Sequence, residues 1–390
     1  MENFDFHNKN VVILIKDAIL GGAERQALGF AKYIKDNFNC KVSVVVIYSI
    51  KESQEFTDFM DEIEIQKMHY FGEPSLSIKR EISIKNLQKA FRALRYLIRI
   101  TIGIRKLKPD ILVPFMNGPS KIASLIYNFT GAKTTFWHQL GLEVYFYDWL
   151  EQVAIKKVPF IIANSENGLD IIKTHYQVQS RKLSVLPQYA AIKRKRLNKI
   201  ELKEKFSLPP DALIIGMIAH YRKEKFQELL IEAFSEIASD RPIHLILLGN
   251  KDNNGSSLQK YEYLDQMVES LKMREKVTIL SGIDVHEVLN VIDIGVLMSE
   301  IEGTPNVVME YMLYGLPVIA TNHKGCIGLL ENSTFLIPND KDVLADKIVE
   351  LVVNPDIRKS EGEANLFKIE KYSPKKYFDK LTAILNNINN

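Results

Sequence analysis

The fold is indicated most directly by one stretch of sequence, IGVLMSEIEGTPNVVMEYMLYGLPVIAT (residues 294–321). One apolar run ends near Ser299, a second begins at Pro317, and a helical pattern lies between them. This order is typical of a βαβ unit in a parallel sheet. Thr304 suits an N-cap and Pro305 suits the first helical position, so we expect the helix to begin there.

The helix start predicted at Pro305 is a candidate anion site. Its unpaired backbone N–H groups and its positive dipole end would point out of the carboxyl edge of the sheet, where doubly wound folds bind ligands. Glu302 precedes the helix, and Glu310 lies roughly 7 Å along it at about 1.5 Å per residue. The pattern predicts a diphosphate between two carboxylates, one holding ribose and one holding a sugar. A capped helix with a solvated glutamate is the alternative interpretation.

Similar βα patterns continue along most of the 390 residues. Because one hydrophobic core rarely serves a chain of this length, we predict an α/β protein of two doubly wound parallel-sheet domains, at residues 1–190 and 205–371. The lysine-rich segment Ala190–Glu204 is the predicted linker. A C-terminal helix within residues 372–390 is predicted to pack back on the N-terminal domain. The predicted strands are Val11–Lys16, Lys41–Tyr48, Ile111–Phe115, Lys133–Phe136, Phe160–Asn164, Ala212–Ile218, His244–Leu248, Val277–Leu280, Ile294–Met298 and Pro317–Thr321.

Composition excludes several classes of protein. The net charge of +3 is too small to indicate a nucleic-acid partner. Cys40 and Cys326 are far apart and fit neither a disulfide framework nor a zinc ligand spacing. The chain start lacks the features of a signal peptide, and no apolar run approaches the roughly 20 residues that span a bilayer. These features lead us to expect a cytoplasmic protein without a metal site.

Two further motifs follow predicted first strands. The segment GGAER (Gly21–Arg25) follows the first strand of the N-terminal domain, and glycines there allow backbone N–H groups to approach a phosphate or sugar. It lacks the GxGxxG pattern, which disfavours a nicotinamide dehydrogenase. His220, Arg222 and Lys225 follow the first strand of the second domain, where cations could neutralise a leaving diphosphate. A structural glycine turn is the alternative for the first motif, and a solvated basic loop is the alternative for the second.

These motifs together resemble glycosyltransferase family 4. Gly21–Arg25 resembles its GGAER segment, Glu302–Glu310 resembles its E-x7-E signature, and Lys225 resembles the lysine of its R-x4-K pattern. The resemblance implies the GT-B fold, with two Rossmann-like domains facing a central cleft. It also implies a nucleotide-sugar donor, retention of anomeric configuration, and neither a metal nor another cofactor.

The resemblance also assigns roles to residues. Glu310 would bind ribose, Glu302 would contact the donor sugar, and Lys225 would bind phosphate. The diphosphate would be lined from the second domain by Thr304, Pro305, Asn306 and Val307, and approached from the first domain by Gly21 and Gly22.

His138, in Trp137–Gln139, resembles the active-site histidine that family 4 places near the donor sugar's hydroxyls. A structural histidine with satisfied hydrogen bonds is the alternative interpretation. The chain departs from the family pattern at His220, which replaces the arginine of R-x4-K, so either His220 or Arg222 would complete the phosphate clamp. It departs again at Lys324–Gly328, which replaces a GGxxE segment.

Residues 79–108 form a basic segment, with ten Lys or Arg against one Glu. The helical periodicity predicts an apolar face packed on the core and a cationic face beside it. The cationic face is either merely solvated or rests on an anionic membrane surface, which would place the protein at the inner face of the cell membrane. The apolar face comprises Ile84, Leu87, Phe91, Leu94 and Ile98, and the cationic face comprises Lys85, Lys89, Arg92, Arg95 and Arg99.

The resulting hypothesis is a hexosyltransferase-type, metal-independent enzyme. It would move a sugar from a nucleotide diphosphate sugar, with UDP as the expected nucleotide, to a saccharide or lipid-linked saccharide acceptor. Surface polysaccharide or lipopolysaccharide biosynthesis is the expected setting. Two alternatives remain open: a sugar-nucleotide epimerase of the GT-B fold, and a non-catalytic protein that binds a sugar nucleotide.

Overall fold

The computed structural model describes residues 4–48, 51–72, 76–140, 148–178, 182–251 and 255–387. They form two compact units, one of Met1–Ala191 with Pro374–Asn390 and one of Ile192–Ser373. None of the helices in these described ranges is both long enough and apolar enough to cross a membrane.

The first unit is built on a five-stranded parallel sheet of order β3-β2-β1-β4-β5. Its central strands are buried on both faces, which explains their continuous apolar sequences. A smaller parallel sheet of order β6-β7-β8 follows. The strands are β1 (Asn10–Ile15), β2 (Lys41–Val46), β3 (Gln66–His69), β4 (Ile111–Pro114), β5 (Thr134–Thr135), β6 (Trp137–Gln139), β7 (Ile161–Ala163) and β8 (Leu183–Val185). The helices are α1 (Gly22–Phe38), α2 (Gln54–Ile63), α3 (Ile84–Lys106), α4 (Asn117–Thr130), α5 (Trp149–Lys157) and α6 (Glu166–Tyr176).

The second unit has a six-stranded parallel sheet of order β11-β10-β9-β12-β13-β14. Its strands are β9 (Leu213–Ile218), β10 (Ile243–Leu248), β11 (Val277–Leu280), β12 (Ile294–Leu297), β13 (Val318–Thr321) and β14 (Leu336–Ile337). Its helices are α7 (Lys199–Lys205), α8 (Gln227–Ser235), α9 (Ser256–Ser270), α10 (Val285–Val291), α11 (Asn306–Leu313), α12 (Lys324–Leu330), α13 (Lys341–Val353) and α14 (Pro355–Ile369). Two doubly wound parallel sheets are therefore present, as the sequence predicts.

The segment predicted as the linker, Ala190–Glu204, contains a helix in its second half. Helix α7 begins within it, because Asn198 accepts a hydrogen bond from the N–H of Ile200 at 3.0 Å and Leu202 is buried. The preceding residues also belong to the second unit, where Lys195 N–H donates to the Tyr314 hydroxyl at 3.1 Å. The two units meet in sequence at Ala191 and Ile192.

A last helix, α15 (Pro374–Asn387), belongs to the first unit although it follows the second unit in sequence. Phe378 stacks on Tyr33 of α1, with ring centroids 4.5 Å apart, and lies 4.7 Å from the ring of Phe30. Burial of Phe30, Phe378 and Leu381 holds α15 against α1. Residues 388–390 of the predicted C-terminal segment lie outside the described residues.

Helix α3 contradicts the prediction for the basic segment. The residues that α3 buries are Ala93, Tyr96, Ile100, Gly103 and Ile104, not the strongest apolar row. Tyr96 fixes this orientation by donating its hydroxyl to the carbonyl oxygen of Ile47 at 2.9 Å. The row predicted to face the core is largely exposed instead, at Ile84, Leu87, Phe91, Leu94 and Ile98. Periodicity identifies an apolar face, but it does not say which face the tertiary structure covers.

Candidate functional site

The second sheet changes its direction of winding between β9 and β12. These two strands pair over two positions, Ile215 with Ile294 and Gly216 with Gly295, and the chain leaves them in opposite directions along the sheet. In open α/β sheets, ligands bind outside the carboxyl ends of the strands at such a point. The loops that follow β9 and β12 carry most of the predicted site residues of this unit.

Tyr311 separates the carboxyl ends of β9 and β12. Its ring lies against Gly295, where an added Cβ would come within 2.5 Å of it. Its hydroxyl accepts a hydrogen bond from the N–H of Ile218 at 2.8 Å and lies 3.3 Å from the carbonyl oxygen of Gly216. Burial raises the pKa of Tyr311, so the hydroxyl stays protonated. Tyr311 was not predicted from the sequence, although the glycines on both neighbouring strands indicate space for a large side chain.

The loops after β9 and β12 are joined by backbone hydrogen bonds. Phe226 N–H donates to the carbonyl oxygen of Met298 at 3.1 Å, and Glu300 N–H donates to that of Glu224 at 2.9 Å. Between these bonds, Lys225 and Ser299 form an antiparallel bridge. The two loops therefore present their side chains as one surface at the carboxyl edge.

Lys225 and Glu302 form an ion pair on this surface, across 77 positions of sequence. Their side chains are 16% and 15% exposed, so the pair is partly desolvated and still reachable from solvent. The sequence analysis assigned one to phosphate and the other to sugar but did not predict their contact. Because partial desolvation strengthens charge–charge interactions, the ammonium group is held firmly at this edge.

Helix α11 begins one residue later than predicted. Pro305 has ψ of 115°, outside the helical range, so it is the N-cap, and Asn306 is the first helical residue. The N-cap is therefore Pro305 and not Thr304, the residue expected at that position from the sequence. The first turn of α11, containing Asn306 and Val307, directs backbone N–H groups toward the carboxyl edge, as predicted for an anion site. Glu310 lies in the next turn and is buried.

The segment Lys324–Gly328, which departs from the family pattern, packs against the loop after β12. This loop contains Glu302 and is called the Glu302 loop. In α12, Gly325 lies so close to this loop that an added Cβ would be 1.9 Å from the carbonyl oxygen of Gly303. His323 caps α12 by accepting from Cys326 N–H at 3.4 Å, and its Nε2 lies 3.2 Å from the Ser299 hydroxyl. Burial lowers the pKa of His323, against the opposing effect of Glu302, so the neutral ring donates to Ser299.

The other two residues predicted for the phosphate clamp are more exposed than Lys225. His220 and Arg222 are exposed, in the same loop. The guanidinium of Arg222 lies 4.0 Å from the carboxylate of Glu224, and Lys225 carries the ion pair with Glu302. The loop itself is shaped by buried Gln227, which the sequence analysis missed and which donates to the carbonyl oxygen of His220 at 3.0 Å.

In the first unit, the GGAER segment forms the start of α1. Gly21 is the N-cap and Gly22 the first helical residue, just beyond the carboxyl end of β1. The sheet changes its winding direction here too, between β1 and β4. The Glu24 side chain reaches back to the helix start, where its Oε2 would lie 2.9 Å from a Cβ added at Gly21. Glu24 is only 8% exposed, and burial raises its pKa to about 7.

The raised pKa of Glu24 predicts a pH-dependent cost in stability. The carboxyl group is protonated in the folded state below about pH 7, whereas its ordinary pKa is 4.5. The contribution of Glu24 to the free energy of unfolding is therefore greatest below its ordinary pKa of 4.5. It falls as the pH rises from 4.5 through the folded-state pKa of about 7. We expect Glu24→Gln to raise the free energy of unfolding by about 1–3 kcal/mol at pH 8, and by much less at pH 5, in urea unfolding followed by circular dichroism.

The matched control is Glu55→Gln, which removes an exposed carboxylate from the first turn of α2. This variant should show no such gain at pH 8. An equal gain for Glu24→Gln at both pH values would contradict the assignment.

His138 lies inside the first unit, within β6, at 1% exposure. Its Nδ1 lies 3.1 Å from the carbonyl oxygen of Pro114, at the end of β4, so Nδ1 carries the proton. Nε2 is left as a buried acceptor without a hydrogen-bond partner among the described residues. Burial lowers the pKa of His138 to about 4, so the ring is neutral near pH 7.

A strained residue adjoins the same strand end. Met116, the N-cap of α4, has φ of 76° and ψ of 168°, a positive-φ conformation that residues other than glycine rarely adopt. Such strain costs on the order of 1–3 kcal/mol and concentrates at functional sites. The sequence offered no signal for it. Met116 and His138 thus both adjoin the carboxyl end of β4, and Gly22 follows the neighbouring strand β1.

Comparison with known proteins shows which families the chain is similar to. Residues 198–366 match the model of the family described as glycosyl transferases group 1. The chain is 24% identical over 330 residues to the capsular polysaccharide biosynthesis glycosyltransferase CapM of Staphylococcus aureus, covering 80% of this chain and 84% of that protein. It is 25% identical over 316 residues to the UDP-Gal:alpha-D-GlcNAc-diphosphoundecaprenol alpha-1,3-galactosyltransferase of Escherichia coli, covering 77% and 78%.

Solved structures show the same fold. HepE of Anabaena, in complex with UDP and glucose, has a TM-score of 0.79 at 15% identity, covering 97% of this chain and 100% of that chain. A glycosyltransferase from Rickettsia africae has a TM-score of 0.78 at 20% identity, covering 98% and 99%. The chain thus has the GT-B fold, as predicted. The family model and the named relatives support a glycosyltransferase. The range that matches the group 1 model lies in the second unit and contains Lys225, Glu302 and Glu310.

Proposed function

We propose that this chain is a retaining glycosyltransferase of family 4. It transfers a sugar from a UDP-sugar to a saccharide or lipid-linked saccharide during the synthesis of a surface polysaccharide or lipopolysaccharide. The observation that carries the proposal is the joint placement of the Lys225–Glu302 pair and the start of α11 at the winding change between β9 and β12.

The donor diphosphate would lie against the first turn of α11. Backbone N–H groups of that turn and the Lys225 ammonium supply positive charge, while Glu302 orients Lys225 and contacts the donor sugar. Glu310 would hold the ribose. HepE, with its bound UDP and glucose, supports a uridine nucleotide. We infer that no metal is needed, because the lysine and the helix start already offset the diphosphate charge.

Transfer would proceed by attack from the leaving-group face. An acceptor hydroxyl oxygen bonds to the anomeric carbon as the bond from that carbon to the β-phosphate oxygen breaks. The departing phosphate oxygen takes the hydroxyl proton, and UDP leaves with the bonding electron pair. No protein nucleophile is required, and the anomeric configuration is retained. His138 would accept a hydrogen bond at Nε2 from a hydroxyl of the donor sugar, since Nδ1 is already committed to Pro114.

The acceptor class is supported by the relatives. The E. coli galactosyltransferase is named for an acceptor carried on diphosphoundecaprenol, and the S. aureus relative is named for capsular polysaccharide biosynthesis. A lipid-linked acceptor lies in a membrane. The proposed function therefore includes peripheral association with the inner face of the cell membrane.

A panel of nucleotide diphosphate sugars tests the donor assignment. We expect UDP-sugars to raise the melting temperature more than GDP-, ADP- or dTDP-sugars, since a ligand at about 100 times its Kd adds roughly 2.7 kcal/mol of stability. Product analysis by mass spectrometry then separates the functions. UDP release with sugar transfer or hydrolysis supports the proposal, donor conversion without mass change indicates an epimerase, and binding without turnover indicates a non-catalytic protein.

A further inference from the structure

Helix α3 carries an exposed apolar row, formed by Ile84, Leu87, Phe91, Leu94, Ile98 and Ile102. Their side chains are between 52% and 79% exposed. At about 100° per residue, all six fall within an arc of roughly 80°. Isolated apolar side chains on a surface need no explanation, but a continuous row of six marks an interaction site.

The row is held rigidly outward. Opposite it, Tyr96, Ile100 and Ile104 are buried in the core of the first unit, which fixes the rotation of the helix. Ser83 caps the first turn by accepting from Asn86 N–H at 3.2 Å. The Asn86 side chain binds back to the carbonyl oxygens of Lys79 and Glu81. The apolar row therefore faces solvent because of the fold, and not because the helix end is loose.

Positive charge borders the row. Lys85, Lys89, Arg95 and Arg99 are exposed, and the guanidinium of Arg95 lies 5.9 Å from the ring centroid of Phe91. Residues 79–108 contain ten Lys or Arg and a single acidic residue, Glu81. An apolar stripe with an adjacent Lys- and Arg-rich face is the arrangement of a helix that lies in the plane of a membrane interface.

We propose that the apolar row of α3 inserts into an anionic lipid bilayer, with the flanking cations binding lipid phosphates. The charge favours this occupant over a second copy of the chain, because pairing two such faces would bring like charges together. The sequence predicted contact through the cationic face alone, whereas the exposed apolar row supplies the side chains that would enter the bilayer. The inference deepens the proposed function, since a lipid-linked acceptor is reached at a bilayer surface.

Co-sedimentation of the full chain with lipid vesicles tests the inference. The protein should bind vesicles of phosphatidylcholine with phosphatidylglycerol at least about tenfold more tightly than vesicles of phosphatidylcholine alone. The triple variant Leu87→Ser, Phe91→Ser, Leu94→Ser should weaken binding by about tenfold or more. The triple variant Lys85→Gln, Lys89→Gln, Arg95→Gln should remove the preference for anionic vesicles and most of the salt dependence.

The control replaces three exposed apolar residues of the second unit, with Ile200→Ser, Val353→Ser and Phe367→Ser. This variant should bind vesicles as the unaltered chain does, and circular dichroism should show that every variant is folded. Absence of vesicle binding, or unchanged binding by the apolar-row variant, overturns the inference. So does a dimer that the apolar-row variant dissociates without any vesicle binding.

The vesicle experiment is independent of catalysis. Binding is measured without donor or acceptor, and donor hydrolysis by the apolar-row variant should equal that of the unaltered chain. Vesicle binding by a protein that processes no sugar nucleotide would refute the proposed function alone. Hydrolysis or transfer without vesicle binding would refute the membrane contact alone.

Discussion

Lys225→Ala is expected to lower kcat for glycosyl transfer by about 10²- to 10³-fold, the usual cost of removing one preorganised group that stabilises developing negative charge. Negative charge grows on the diphosphate as the bond to the anomeric carbon breaks, and the Lys225 ammonium is held beside Glu302 at this edge. Removing it also leaves the Glu302 carboxylate unpaired next to the donor phosphates. We therefore expect KM for the donor to rise as well.

The matched control is Lys223→Ala, which removes the same charge from an exposed position in the same loop. Initial rates of UDP release should be nearly unchanged in that variant, while Lys225→Arg should recover part of the activity. Equal loss in both alanine variants would mean that general loop charge matters and not the Lys225–Glu302 pair.

Gly325→Ala is expected to lower kcat/KM by about 10²-fold, because a displacement near 1 Å at a catalytic site can have that effect. The added Cβ would be 1.9 Å from the carbonyl oxygen of Gly303 and 2.8 Å from that of Glu302, and neither is a flexible side chain. The Glu302 loop must move away to admit the methyl group. The melting temperature should fall at the same time, since the loop and α12 can no longer pack together.

Gly328→Ala provides the control within the same helix. A Cβ at Gly328 meets nothing within 4 Å, so the variant should keep full activity. Its stability should rise by up to about 1 kcal/mol, the difference in helix propensity between alanine and glycine. If Gly325→Ala retained activity while Gly328→Ala lost it, Gly325 would not position the loop as described.

Most of the fold was predictable from sequence because the central strands of parallel sheets are buried on both faces. Strands such as β9, with the sequence LIIGMI, are short continuous apolar runs, which are typical of parallel strands buried on both faces. The strands that were missed lack this signal. Strand β3 has the sequence QKMH and is half-buried at a sheet edge, and β14 has two residues.

The site was predictable in outline but not in its contacts. Strand–loop–helix order alone places the Lys225 and Glu302 loops at carboxyl ends of strands. Their ion pair joins residues 77 positions apart and depends on which strands are neighbours. The orientation of α3 was mispredicted for a related reason. The rotation of α3 about its axis depends on small buried residues such as Ala93 and on the Tyr96 hydrogen bond. The hydrophobicity of a row of side chains does not predict this rotation.

The hydroxyl of Tyr311 has a consequence for the thermodynamics of donor binding. It ties α11 to the backbones of both β9 and β12, so the amide groups at the start of the helix are fixed in direction when the domain folds. A diphosphate arriving there would find its electrostatic partner already ordered. The entropy loss of arranging those dipoles would then belong to folding, and association would reflect mainly the desolvation and mobility of the ligand itself.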